Sequence, residues 1–225
     1  MNKKPLIIIG LVVFILAIAF IAVRVFVFSP PSIVKLTPIP DGEYDPAVWG
    51  KYYPLEYRSY LKNREMAPSP TGFGGSVKVQ KSIAEPSILE NFKGMAFSKD
   101  YSEDRGHPYA VQDLMETKRV SPKSVGSCMT CKTANLIDIY REKGWGYAKM
   151  PLFALFPLLK HPITCANCHE PSTMALRVIN PAFIEAMAGR GIDVKKASRE
   201  EMRSYVCGQC HVEYYFQPET SKVIF

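Results

Sequence analysis

Hydrophobic positions follow two different patterns along this chain. Near the N-terminus, Leu6 to Val23 form an unbroken run of eighteen uncharged, almost wholly apolar residues; Arg24 follows, and Val25 to Phe28 are apolar again. Such a run has no polar face to turn toward water. At about 1.5 Å per residue, positions 5–28 are long enough for a hydrocarbon core of about 30 Å. The pattern predicts one transmembrane helix over 1–28, with Arg24 snorkelling to the far interface. Lys3 and Lys4 hold the N-terminus in the cytoplasm, which places 29–225 on the periplasmic side of a bacterial cytoplasmic membrane. The run is longer than a signal-peptide core and no small-x-small site precedes Ser29, so an uncleaved anchor is favoured over a cleaved signal.

After the run the periodicity becomes helical and broken. Residues 29–46 contain five prolines and read as a stiff, extended linker. Trp49, Tyr52, Tyr53, Tyr57 and Tyr60 form an early packing surface without a clean period. Gly72-Phe-Gly-Gly reads as a flexible turn, because no Lys-Ser/Thr follows it as a phosphate loop requires. Short helices are predicted over 109–119, over 133–143 with Ala134, Leu136, Ile137 and Tyr140 on one face, and from Asn180-Pro181 to Gly189. Ser198-x-x-Glu201 is a capping box that opens a helix running into Cys207. Alternating strand patterns are nearly absent. The expected fold is mainly α with long loops, in three parts: an anchor over 1–28, a linker over 29–46 and a domain over 47–225.

Composition changes this picture at one point. The hydrophobic and charged shares are those of a globular protein and exclude disorder. The six cysteines, however, fall as three C-x-x-C pairs: Cys128/Cys131, Cys165/Cys168 and Cys207/Cys210. Three chemistries use that spacing: zinc, a redox disulfide, and haem attached through thioethers. The next residue separates them. His169 and His211 follow the second and third pairs, which is the c-type haem signature: two thiols add to the vinyl groups and the adjacent imidazole ligates iron. Zinc needs neither histidine, and a thioredoxin-like pair would sit in a βαβ frame that is missing. The formal charge of +7 fits haem as well, because three haems bring about six propionate charges. Basic and acidic residues are interleaved over 35–144, which argues against nucleic acid.

The first pair departs from the rule, since Lys132 stands where the imidazole belongs. An amine ligates iron only when deprotonated, which a cationic metal in a desolvated site favours. Three six-coordinate irons need six axial ligands. Lys132, His169 and His211 supply three, and only His107 and His161 remain as histidines. One iron is therefore expected to be open, and the one with the unusual ligand is the best choice for catalysis.

Taken together, Arg105-Gly-His107-Pro-Tyr-Ala-Val-Gln-Asp113, Glu116-Thr-Lys-Arg119, Cys128-Met-Thr-Cys131-Lys132 and Cys207-Gly-Gln-Cys210-His211-Val-Glu213-Tyr214-Tyr215-Phe216 resemble the ammonia-forming, multihaem cytochrome c nitrite reductases. The resemblance covers roughly 98–225. It implies that Cys128, Cys131 and Lys132 hold the catalytic haem, and that the second and third pairs with His169 and His211 hold two electron-transfer haems. It further implies that His107 is the distal ligand of the third haem. Arg119 and Tyr214 become active-site residues, and Glu213 and the Tyr214 backbone ligands of a calcium ion. The implied reaction is the six-electron reduction of nitrite to ammonium, fed by a membrane quinol-oxidising cytochrome or the quinol pool, with a homodimer possible. His161 matches no family position and reads as a surface or propionate-contacting histidine.

Two departures accompany the match. Only nine positions separate Arg119 from Cys128, so the loop over the active site is expected to be trimmed. The family continues past the third motif with two more haem motifs and an active-site histidine, so this chain reads as truncated at its C-terminus. The competing expectations are a membrane-anchored electron-transfer cytochrome, an inactive fragment of the reductase, and an octahaem relative.

Overall fold

The computed structural model describes residues 4–72 and 75–225 except for 28–37, and side chains at 10–24 within the first helix. Two compact units result, one over Met1–Thr37 and one over Pro38–Phe225. In the first, α1 runs Lys4–Val27 with exposed apolar side chains such as Leu16 and Phe20. Among the described residues no helix is long and apolar enough to cross a membrane. The anchor expected over 1–28 is corrected to this extent: a helix is present, and the first four residues of its apolar run lie outside the described side chains.

The second unit is mainly helical, as expected, and made of short pieces. Asp45 caps α2 (Pro46–Tyr52) by accepting from Ala47 N at 2.8 Å, and Pro54 opens α3 (Pro54–Lys62). Two single-turn helices, α4 (Lys81–Ala84) and α5 (Ser87–Asn91), lead to α6 (Ala110–Glu116). The helix predicted over 109–119 is shorter than expected. Its start is a 3₁₀ turn over His107–Tyr109, and its end is pulled away by the buried Asp100, whose carboxylate accepts from Thr117 Oγ1 and Lys118 N. The helix predicted over 133–143 likewise starts late, as α7 (Leu136–Lys143). Thr133 and Asn135 instead spend their side chains on long-range bonds: Thr133 donates to His161 O, and Asn135 donates to Leu158 O and accepts from Lys160 N. Such local competition is why these residue types sit poorly in helix interiors.

The remaining helices follow the sequence closely. After α8 (Leu152–Leu155), Asn180 caps α9 (Pro181–Gly189), and the Ser198/Glu201 capping box opens α10 (Arg199–Gly208). A feature the pattern did not announce is a two-stranded antiparallel ribbon, β1 (Tyr215–Phe216) with β2 (Val223–Ile224).

Two apolar clusters make the core, and each closes on a cysteine pair. Leu114, Leu136, Ile139, Tyr147, Leu152 and Leu155 surround Met129, the fully buried residue inside the first pair. Ile39, Tyr44, Trp49 and Ala134 surround Ala166, inside the second. The aromatic segment thus packs where the sequence placed a packing surface. Gly126, two residues before Cys128, lies against the backbone carbonyl of Tyr147, and a Cβ there would also come within 2.5 Å of Leu155 Cδ1. Neither neighbour can withdraw, since both are buried. Gly126→Ala is expected to cost about 1–3 kcal/mol or more, measured by chemical denaturation, whereas Gly189→Ala, where a Cβ meets nothing, is expected to be near neutral.

Candidate functional site

The second and third pairs share one backbone arrangement. The N–H groups of Cys168 and His169 both donate to Cys165 O, at 3.1 and 2.9 Å, and those of Cys210 and His211 both donate to Cys207 O, at 3.1 and 2.9 Å. One helical turn therefore brings two thiols and an imidazole to one side, because i and i+4 lie one above the other. His169 Nδ1 donates to Met174 O at 2.8 Å, which leaves Nε2 free as a ligand atom, the usual way a carbonyl fixes the tautomer of a ligating histidine. The first pair is built differently: it lies on a 3₁₀ turn over Gly126–Cys131, and Lys132 N donates to Met129 O at 3.1 Å.

His107 comes to lie beside His211, with ring centroids 6.3 Å apart and ring planes 43° apart. An imidazole nitrogen binds a metal at about 2.0–2.1 Å, and the ring adds about 1.1 Å to its centroid. Two imidazoles on opposite sides of one iron would thus have centroids about 6.3 Å apart. The pair fits a shared iron. Partial desolvation, then the proximity of His211 and Lys132, hold the His107 pKa below its ordinary value and favour the neutral, ligating form.

The segment carrying His107 is pinned on both flanks. Arg105, its side chain 3% exposed, donates from Nε and Nη2 to Asp113 Oδ1 and lies 4.0 Å over the Tyr109 ring. Tyr109 in turn donates to Arg64 O, and Gly106 packs so closely on Asn63 and Ser76 that a Cβ would clash. Residues before position 98 lie outside the stretch that carries the resemblance, yet Asn63, Arg64 and Ser76 brace the histidine. Tyr60 does the same for the second motif, donating to Ile163 O at 3.0 Å.

Tyr214 and Arg119 both lie within electrostatic range of the first pair. Tyr214, half exposed, is close enough to the Cys131 and Cys128 thiols and to Arg119 to feel all three; burial first, then the thiols, raise its phenol above the ordinary value, so it is neutral and able to donate near pH 7. Arg119 also acts electrostatically on Cys128. Its guanidinium is exposed, 4.9 Å over the Phe97 ring, with Nε donating to Thr117 Oγ1 at 3.3 Å. Cys128 and Cys168 are raised by burial, and Cys210 is raised first by its hydrogen bond with Cys131, which is correspondingly lowered. Four of the six thiols are thereby clustered across motifs: Cys131 with Cys210, and Cys168 with Cys207 and Cys210.

A buried donor without a partner marks the second pair. Arg177 Nε is unsatisfied although the side chain donates to Glu170 and to Ala166 O, inside the pair. A propionate-bearing group would satisfy it. The calcium reading fits less well. Glu213 and Tyr214 are both exposed, and two oxygens fall short of the six to eight that calcium takes. Among the described residues no group of three or more His, Cys, Asp or Glu is placed to hold a metal ion. His161 contributes its backbone oxygen, which accepts from Ala134 N and Thr133 Oγ1.

Comparison with known proteins agrees with this architecture. The chain is 36% identical over 182 residues to cytochrome c-552 of Porphyromonas gingivalis, covering 77% of this chain and 36% of that protein. It is 34% identical over 190 residues to the cytochrome c nitrite reductase subunit NrfA of Nitratidesulfovibrio vulgaris, covering 76% and 36%. The solved structure of the catalytic subunit of cytochrome c nitrite reductase from Desulfovibrio desulfuricans, described for its two calcium sites, superposes with a TM-score of 0.74 at 29% identity, over 84% of this chain and 45% of that one. The chain spans a little over a third of the length of these curated relatives. The model of the cytochrome c552 family matches residues 45–225, nearly the whole second unit, and the chain belongs to that family.

Proposed function

We propose that this chain carries the lysine-ligated active site and two electron-transfer sites of an ammonia-forming cytochrome c nitrite reductase. The observation that carries the reading is that Arg119 and Tyr214 both lie within electrostatic range of the thiols of the one pair followed by lysine. Cys128, Cys131 and Lys132 would hold the first haem; Cys165, Cys168 and His169 the second; Cys207, Cys210 and His211, with His107 opposite, the third. Haem c, when bound, supplies reducing equivalents and an open iron position for the nitrogen of the anion. Arg119 draws nitrite in, because a planar guanidinium meets two oxygens at once. Tyr214, held neutral, donates to the bound anion or to a water that relays protons. The overall balance is NO₂⁻ + 8 H⁺ + 6 e⁻ → NH₄⁺ + 2 H₂O. Proton delivery is thus as much a task of the side chains as anion binding.

The same reading has α1 as a membrane anchor with the second unit on the periplasmic side, a quinol-oxidising cytochrome or the quinol pool as donor, and a homodimer as assembly. Glu213 and Tyr214 would contribute to a calcium site completed by oxygens from elsewhere. Turnover with reduced viologen tests the activity of the holoprotein. Ammonium as product with six electrons consumed per nitrite is expected; nitric oxide as the end product, or no consumption, would contradict it.

A further inference from the structure

The residue just before the second cysteine is Asn167 in the second pair and Gln209 in the third, and both are buried. Their bonds leave their own motifs. Asn167 Nδ2 donates to Thr133 O, two residues past the first pair, at 3.0 Å. Gln209 Nε2 donates to Asn167 O in the second pair at 3.0 Å, while its Oε1 accepts from Ile179 N and Asn180 N at 3.0 and 3.1 Å. Asn180, 1% exposed, then donates from Nδ2 to Gln209 O at 2.6 Å and lies 3.7 Å from Cys131 Sγ. The path from Cys131 through Thr133, Asn167, Gln209 and Asn180 returns to Cys131. Three side-chain amides, main-chain carbonyls and the covalent stretch from Cys131 to Thr133 close a ring that touches each attachment motif once.

We propose that Asn180 and Gln209 are positioning residues that clasp the three cysteine pairs in one mutual geometry, and so set the electronic coupling between the groups attached there. This rests on the reading of all three pairs as haem sites. Gln209 uses both its N–H groups and accepts twice at its oxygen, so a shift of the third motif against the second breaks a bond between buried groups. An apolar residue would fill the same space without fixing direction. A buried network that merely stabilised the fold would have no reason to alternate between motifs, whereas electron transfer depends on the relative placement of the pigments.

Asn180 allows a clean separation of roles. Its Oδ1 caps α9 by accepting from Ala182 N, and only its Nδ2 serves the clasp. Asn180→Asp keeps the capping acceptor and loses both donations; Asn180→Ser keeps a cap with neither reach nor charge. The holoproteins are compared by peptide mapping of haem on each pair, by far-ultraviolet circular dichroism, and by the Soret circular-dichroism couplet that arises from coupling between neighbouring haems. Both variants are expected to keep their helix signal and lose about twofold or more of the couplet, as a loosened supporting shell predicts. Haem attachment that drops at the first and third pairs but stays complete at the second supports the clasp equally. Three attached haems with a wild-type couplet in both variants would overturn it, as would an equal loss at all three pairs. A wild-type protein lacking haem on one of the pairs would instead overturn the haem reading itself.

Discussion

Replacing His107 with alanine is expected to convert one iron of the ferric holoprotein from low spin to high spin, and added imidazole is expected to restore it. His107 and His211 stand 6.3 Å apart between ring centroids, the separation that one iron with two imidazole ligands requires. His107 reaches that place because Arg105 clamps Asp113 beneath it and Gly106 is wedged against Asn63. Removing the imidazole leaves the brace intact, so the protein still folds and the vacated position is open to a diffusible ligand. Electron paramagnetic resonance of wild type, variant and variant with imidazole reads the change directly. An unaltered low-spin signal in the variant would show that some other group holds the position, and the pairing of the two histidines would lose its meaning.

Arg119→Gln is expected to lower nitrite turnover by about 10²–10³-fold, the loss typical of removing one group that stabilises developing charge. The amide of glutamine keeps a donor where Arg119 has Nε, so the bond to Thr117 can persist, but the charge toward Cys128 and Tyr214 is gone. Arg119→Lys is expected to recover little, since a point charge on a flexible stem cannot bridge two oxygens and lacks the guanidinium that sits 4.9 Å over the Phe97 ring. Hydroxylamine, being uncharged, is expected to be reduced by Arg119→Gln with a much smaller loss. Equal losses for nitrite and hydroxylamine would place Arg119 outside anion handling.

The features legible in the sequence were those with a local cause. The caps at Asn180 and Ser198 and the turn that stacks a histidine over its two cysteines depend on residues within four positions of one another. The chemistry of the three pairs was legible for the same reason, because covalent attachment demands adjacency. Long-range competition was hidden. Nothing near Thr117 announces that Asp100 will end α6, and nothing near Leu136 announces that Thr133 and Asn135 bond across to 158–161. Asn167 and Gln209 could have been noticed, since two buried amides at the same kind of position between cysteines are polar residues where small apolar ones would do. Their partners, however, lie 34 and 42 residues away. The brace from Asn63, Arg64 and Ser76 carried no pattern at all, because it uses main-chain carbonyls and one hydroxyl.

The central claim is that the pair followed by lysine carries a haem whose iron is open to nitrite. The ferric difference spectrum of the purified holoprotein on titration with nitrite, with haem on Cys128/Cys131 verified by peptide mass, tests it most directly. Haem is expected on that pair, with a saturable loss of the high-spin band as nitrite binds, weakened in Arg119→Gln. Haem absent from Cys128/Cys131, or a spectrum that nitrite leaves unchanged while all three pairs are occupied, would contradict it and leave an electron carrier.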